Sequence, residues 1–231
     1  MSKPFRIEHE GPLPAPPEVV WDAVTRDTGA WLFADDGGET PPLEWDPPRR
    51  AVFREEAGDW FNQLEFTLEP AGDGTYLRYV HSGILVDDWE NQYDGARRHT
   101  ELYQHNLEQY LRYFAGRSFR HFEVPAPAGS ITPDAVAAVR DAWGIGPETP
   151  VGSSLQVTLP AVGAVTAELD FHNEAFIGLR TPDALYRVFG RNHFGGPVAI
   201  GGYEYGDDRL PIETTTAAWS AWLAQLYPDP A

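Results

Sequence analysis

The sequence predicts an α+β fold in which a curved antiparallel sheet wraps around one long helix. Three observations carry this. Between residues 5 and 85, short runs alternate apolar and polar side chains and are separated by turn residues, the period-two pattern of half-buried strands. Residues 89–114, WENQYDGARRHTELYQHNLEQYLRYF, then place Trp89, Tyr93, Ala96, Thr100, Tyr103, Leu107, Tyr110 and Phe114 at spacings of 4-3-4-3-4-3-4, one helical face held over about seven turns. Finally, the 231 residues include 22 glycines and 21 prolines, enough turn formers for many short strands.

Taken in order, Phe5, Ile7 and His9 alternate with Arg6, Glu8 and Glu10 and predict a first strand. PAPPEVVWDAVT follows. Pro17 suits a first helical turn, and Val20 and Val24 with Ala23 or Trp21 form a short apolar face that Gly29 ends. AWLF, residues 30–33, reads as an apolar plug or second short helix. PLEWDPPRRAVFREE predicts strand, proline turn and strand. Leu64, Phe66 and Leu68 alternate with Gln63, Glu65 and Thr67. AGDG makes a hairpin turn, and the return strand sends Leu77, Tyr79 and His81 to one face and Tyr76, Arg78 and Val80 to the other. Asp87 and Asp88 lead into the long helix, where its dipole favours negative charge, and Gly116 lies just past its end. Gly95, inside it, costs about 1 kcal/mol relative to Ala and marks a bend or a close approach to the backbone.

The long face is uneven. Leu107, Tyr110, Leu111 and Phe114 are large enough to close a core, whereas Ala96 and Thr100 are small. One reading makes the stripe a cavity wall; the other has Trp45, Trp60 or Phe66 fill the gap, as interiors normally pack without large voids.

After residue 117 the composition shifts, and Pro125, Pro127, Gly129 and Ser130 mark a linker or boundary. TPDAVAAVRDAWGI predicts a helix with Thr132 as N-cap, Pro133 at its first position, and Gly144 or Gly146 after it. SSLQVTLP, VTAELDF, EAFIGLRT, ALYRVFG and PVAIGGYEYG read as strands. TTAAWSAWLAQLY closes the chain with Trp219, Trp222, Leu223 and Leu226 on one helical face. The boundaries are thus 1–117 and 118–231. The second part reads either as a shortened, degenerate second copy of the first or as a plain C-terminal extension.

Composition excludes several functions. With 35 acidic against 17 basic residues the formal net charge is −18, and the arginine pairs at 49–50 and 97–98 do not make a basic stripe. Nucleic acid and anionic membranes are therefore excluded as partners. The absence of cysteine excludes disulfides, thiolate metal sites and a cysteine nucleophile. The N-terminus lacks an apolar signal core and no stretch is long enough to span a bilayer, so the expected location is cytoplasmic. Glycine-rich phosphate loops and a G-x-S-x-G motif are absent, and no cofactor is expected. Gly195–Gly196 and Gly201–Gly202 are turn signals, and Asp35–Asp36 and Asp207–Asp208 solvated loops. His99 and His105 are six apart, the wrong spacing for a shared helical face, and His172 with Glu174 offers one imidazole and one carboxylate. No metal site is expected.

Four segments, APPEVVWDAVT…TGAWLF, WDPPRR, YLRYVHSGIL and DWENQYDGARRHTELYQHNLEQYLRYFAGR, resemble the SRPBCC superfamily. Within it they resemble the bacterial proteins labelled activator of heat-shock-protein-90 ATPase homologue-like. The resemblance covers residues 1 to about 117; residues 118–231 look like a tail found on some bacterial members. It implies the helix-grip fold of START-like domains, in which a seven-stranded sheet, two short helices and a long C-terminal helix enclose an apolar pocket. Such proteins variously carry lipids, hormones or polyketides, cyclise polyketides, or bind a chaperone ATPase. No catalytic motif is shared across them, so no reaction is implied.

The expected function is binding of a small hydrophobic or aromatic molecule between sheet and long helix. The candidate ligand-binding residues are Trp31, Phe66, Tyr79, His81, Trp89, Tyr93, Ala96, Thr100, Tyr103 and Leu107. His81 faces the cavity if Leu77 and Tyr79 do, and is either a ligand-facing polar group or a structural histidine bonded to a neighbour. Tyr93 and Tyr103 offer orienting hydroxyls or are core tyrosines; Trp31 and Trp89 close the mouth or the core. Two alternatives stand beside this: a cyclase or hydrolase with His81 as base, and an interaction module acting on a chaperone. A binding protein is expected ahead of a catalyst, and the oligomeric state is left open.

Overall fold

In a computed structural model of the chain, the described residues are 3–32, 41–58, 60–85 and 88–228. They form two compact units, Met1–Gly116 and Arg117–Ala231. The fold is α+β with antiparallel sheets throughout.

The first unit runs β1 (Lys3–Leu13), α1 (Pro17–Thr25), a 3-10 turn (Thr28–Ala30), β2 (Glu44–Asp46), β3 (Arg50–Ala57), β4 (Trp60–Ala71), β5 (Gly74–Leu85) and α2 (Trp89–Tyr113). Its sheet has the order β1-β5-β4-β3-β2. Thus the first strand pairs with the last, and the others meander outward. Alternation sorts the two faces. Arg6 with Glu8, Arg78 with Glu8 and Glu10, and Arg50 with Glu44 and Glu65 form ion pairs on one face. These partly exposed pairs contribute little stability each, but they mark the polar face. Phe5, Ile7, Phe66, Leu68, Leu77 and Tyr79 are buried on the other.

That inner face receives α2, giving the helix-grip arrangement. The helix starts where Lys3 Nζ lies 3.6 Å over the Trp89 ring. At its far end Asn106 Nδ2 donates to Trp31 O (3.1 Å) and the Tyr110 hydroxyl to Asp27 Oδ2 (3.1 Å). So α2 runs back along β5, its first turns beside that strand's end and its last turns against the α1 region.

The second unit runs β6 (Phe119–Pro125), a 3-10 turn (Ala128–Ser130), α3 (Ala135–Ala142), β7 (Ser154–Leu159), β8 (Gly163–His172), β9 (Phe176–Arg180), β10 (Ala184–Phe189), a 3-10 turn (Arg191–Phe194), β11 (Ala199–Tyr205) and α4 (Ile212–Leu226). Its sheet order, β6-β11-β10-β9-β8-β7, repeats the wiring of the first: first strand beside last, then a meander, then a closing helix. Its core gathers Ile177, Leu179, Val188 and Ile200 from the sheet, Val136, Val139 and Trp143 around α3, and Trp219 and Leu223 from α4.

Several expectations need correcting. The described residues of the first unit form five strands, not the seven that the resemblance implies. AWLF is not a second helix: Ala30 ends a 3-10 turn and Trp31 follows it, while Phe33 lies outside the described residues, as do Asp35–Asp36 and Asp87. The stretch read as a linker contains β6, paired with β11 from Phe119 to Pro125. Its closing proline is tolerated because β6 is an edge strand. The second sheet has six strands, so it is not shortened. Finally, α3 begins at Ala135 rather than after Thr132, because Thr132 O and Pro133 O accept hydrogen bonds from Asn192 Nδ2 (2.8 and 3.4 Å), holding that stretch in a turn.

One charged pair is fully buried. Arg187 on β10 donates Nη1 to Asp170 Oδ1 (2.9 Å) and Nη2 to Asp170 Oδ2 (2.7 Å), with both side chains at 0–1% exposure. A β-bulge between Leu169 and Phe171 takes Asp170 out of the ladder and aims it at the guanidinium. Gly178 makes room, for a Cβ there would sit 2.6 Å from Asp170 Oδ1 and 2.7 Å from Arg187 Nη1. Asp170→Ala should therefore lower stability by about 3–5 kcal/mol, because it strands a buried cation. Urea unfolding checks this, and Asp170→Ala combined with Arg187→Met should recover most of the loss.

Candidate functional site

Strand register stacks the inner-face side chains of the first sheet in rows. One row reads His9, Tyr79, Phe66, Ala51 and Trp45; the next reads Ile7, His81, Leu64 and Phe53. A third brings Phe5, Gly83 and Asn62 together. Aromatic rings line the face. Phe66 lies 5.2 Å from Tyr79 and 6.5 Å from Phe53, Phe53 lies 6.4 Å from Trp45, and Trp45 packs edge-on against Trp21 at 4.8 Å.

Burial falls along β4 and β5, whereas on β1 Ile7 and Phe5 stay buried in the same rows. Leu68 and Leu77 are shut in, as are Phe66 and Tyr79 one row on. In the following row His81, Leu64 and Phe53 are only half-buried, and so is Asn62 beyond them. The helix shows the same gradient. Leu107, Tyr110 and Phe114 are buried, whereas Tyr93, Ala96 and Tyr103 are half-buried. The two gradients coincide, because α2 starts at the His81 end of β5. The loosely covered end of the grip is therefore bounded by Phe53, Leu64 and His81 on the sheet and by Tyr93 and Ala96 on the helix.

His81 is the polar centre of this end. Its Nε2 lies 2.7 Å from Asn62 Oδ1. With that oxygen accepting, Nε2 carries the proton and Nδ1 keeps its lone pair. Phe5 packs edge-on against the imidazole at 4.9 Å. Gly83 allows this, since a Cβ there would meet Phe5 Cε1 at 2.7 Å and Phe61 O at 2.5 Å. Burial lowers the His81 pKa from 6.5 to about 4, so the ring is neutral at pH 7. Burial likewise pushes the Tyr79 phenol well above its usual value, with Tyr103 adding to it. The result is an apolar, aromatic surface with neutral hydrogen-bonding groups.

The other expected residues divide. Trp89 stacks on Tyr93, with ring centroids 4.8 Å apart and planes 7° from parallel, at the open end. Its indole Nε1–H is buried and has no hydrogen-bond partner among the described residues. Trp31 sits at the closed end, 1% exposed, with Nε1 donating to Ala23 O (2.8 Å), and Leu107 is fully buried. Thr100 is buried, so of the two small stripe residues only Ala96 is partly exposed. Trp45 packs against Trp21 and is 46% exposed, and Phe66 stays in the Tyr79 row. His99 Nδ1 is bonded to Gly95 O within its own helix (2.7 Å). His172 ends β8, and Glu174 lies in the turn beyond it.

Sequence reasoning missed Asn62, Phe53 and Leu64 as site residues. Continuing the Leu64–Leu68 alternation back by one step would have put Asn62 on the inner face. Nothing in the sequence paired it with His81, 19 residues away.

No protein-family model matches the chain, and no curated protein matches it. Among solved structures, protein MLL2253 from Mesorhizobium loti is 23% identical, over 47% of this chain and 97% of that one, with a TM-score of 0.39. The Aha1 dimer from Colwellia psychrerythraea is 20% identical, over 46% and 96%, with a TM-score of 0.37. DynU16, a protein of the dynemicin biosynthetic locus, is 18% identical over 96% of each chain, with a TM-score of 0.39. No helix among the described residues is long and apolar enough to cross a membrane.

The His81 environment gives a signed pH effect. Its folded pKa is depressed, so its contribution to stability is fully present above the unfolded value of 6.5 and is lost as pH falls toward about 4. In an NMR titration the His81 imidazole should remain neutral down to pH 5 and protonate near pH 4. A midpoint near 6.5 would refute the buried environment.

Proposed function

We propose that the first unit binds a small hydrophobic or aromatic molecule between its sheet and α2. The observation that carries this is the coincidence of two incomplete coverings. The half-buried sheet residues Phe53, Leu64 and His81 lie at the level where α2 offers Tyr93 and Ala96 rather than large aliphatic side chains. Aromatic and aliphatic burial would supply affinity, at about 25 cal/mol per Å² of apolar surface covered. The His81 Nδ1 lone pair and the Tyr103 hydroxyl would orient a polar substituent. The unpartnered Trp89 Nε1–H adds a donor at the same end, and an unmade hydrogen bond there is costly enough to favour a ligand acceptor.

The cyclase or hydrolase alternative asks His81 to act as a general base. With a pKa of about 4, and an amide rather than a carboxylate behind it, the imidazole is poorly matched to proton abstraction near neutral pH. Binding is the better reading of this geometry. The shared wiring of the two sheets supports reading residues 118–231 as a second grip rather than as an extension.

The test uses Ala96→Trp, which adds a large side chain at a half-buried position. Wild-type protein should enhance the fluorescence of 1-aminoanthracene, an uncharged aromatic probe. The variant should bind it about tenfold more weakly or worse, with an unchanged thermal midpoint. Equal binding by the folded variant would refute the site. Native mass spectrometry of protein from its source should in addition show a bound molecule.

A further inference from the structure

The second unit has the same wiring, but its grip is filled differently. At the centre of α4, Trp219 is 0% exposed, and it contacts Tyr186 (ring centroids 5.6 Å) and Trp143 (6.5 Å). This aromatic plug occupies the middle of the inner face. Beyond it, toward the start of α4, a cavity of about 340 Å³ remains. That lies within the range of small-molecule pockets, which begin at about 300 Å³.

The walls of this cavity are specific. Val165, Ala184 and Leu210 supply apolar surface, Tyr186 and Glu204 come from adjacent strands, and Thr215 comes from the first turn of α4. Ala184 is in register with Glu204, and Tyr186 lies two residues further along on the same face. The charges are largely committed. Arg120 Nε donates to Glu204 Oε2 at 3.0 Å, Arg120 Nη1 donates to Leu210 O at 2.7 Å, and Arg117 Nη2 holds Asp183 Oδ1 at 2.6 Å. Asp208 and Arg209, which also line it, carry opposite charges, and Arg209 Nη1 donates to the Glu204 backbone oxygen (3.2 Å). The lining is thus close to neutral.

Two groups are left to hydrogen-bond an occupant. The Tyr186 hydroxyl makes no hydrogen bond among the described residues, and neither does Glu204 Oε1. Burial, with Glu204 nearby, raises the Tyr186 phenol above its usual value and keeps it a donor. A donor and an acceptor side by side, between apolar walls and without net charge, match a hydroxyl on a small ring. The hydroxyl oxygen would accept from Tyr186 and its proton would point at Glu204.

We propose that the second unit carries its own binding site, for an uncharged single-ring molecule bearing a hydroxyl, held by Tyr186 and Glu204 at the start of α4. This does not rest on the site proposed for the first unit. The experiment is methyl NMR of the full chain titrated with phenol. Methyl signals of Val165, Ala184, Leu210 and Thr215 should move together along one saturable curve. Tyr186→Phe should weaken binding about fivefold, the loss of one neutral hydrogen bond. Val165→Trp, at a half-buried position on the cavity wall, should abolish it. No shifts up to the solubility limit, shifts confined to first-unit methyls such as Leu64 and Ile84, or equal affinity in Tyr186→Phe would each overturn the proposal.

Discussion

Each unit depends on the pairing of its first strand with its last. In the first unit β1 pairs with β5 along eleven residue positions, from Lys3 opposite Leu85 to Leu13 opposite Thr75. In the second, β6 pairs with β11. Such contacts are far apart in sequence and close a long loop at an entropic cost. Once formed, they place the end of the last strand at the sheet's interior, with β1 or β6 on one side and the meander on the other. The helix that follows covers the apolar inner face. The grip is a consequence of this wiring together with the in-out alternation of the strands.

What the grip holds is then decided by side-chain volume on the closing helix. Along α2 the large residues come late: Leu107, Tyr110 and Phe114 are buried, and the Tyr110 hydroxyl bonds Asp27 just past α1. The early turns carry the half-buried Tyr93 and Ala96, at the end of the sheet where Phe53, Leu64 and His81 are half-buried. Along α4 the middle carries Trp219, and its sheet face is plugged. The same architecture has therefore been filled in two ways. Of the aromatic rings on the first sheet, Phe66 and Tyr79 are buried and Phe53 stays half-buried beside Leu64 and His81. His81 supplies a neutral polar group there because the environment that buries it also suppresses its charge.

Much of this was legible in the sequence, for identifiable reasons. Alternation of Leu77, Tyr79 and His81 against Tyr76 and Arg78 gave the correct inner face of β5, and the unbroken 4-3 spacing fixed α2 nearly to the residue. What failed involved partners distant in the chain. Pro125 and Pro127 made β6 look like a linker, since a proline at the end of an edge strand is distinguished from one in a loop only by its pairing. Thr132 and Pro133 looked like a helix start, and the asparagine that holds them in a turn is Asn192, some sixty residues on. The Asp170–Arg187 pair depends on a bulge and on Gly178, and no local pattern reveals it. The Asn62–His81 contact requires the strand register. The small residues on α2 do not share one environment: Ala96 is half-buried and Thr100 is buried, a difference the spacing alone does not carry.

The central claim is that the first grip is open at the level of Ala96, while the middle of the second is filled by Trp219. Apolar cavities admit xenon, and packed interiors do not. A crystal structure of the full chain under xenon pressure tests this directly. Xenon density touching Ala96 and Leu64, with none beside Trp219, is the predicted result. Side chains packed against Ala96, with no xenon between the first sheet and α2, would contradict it.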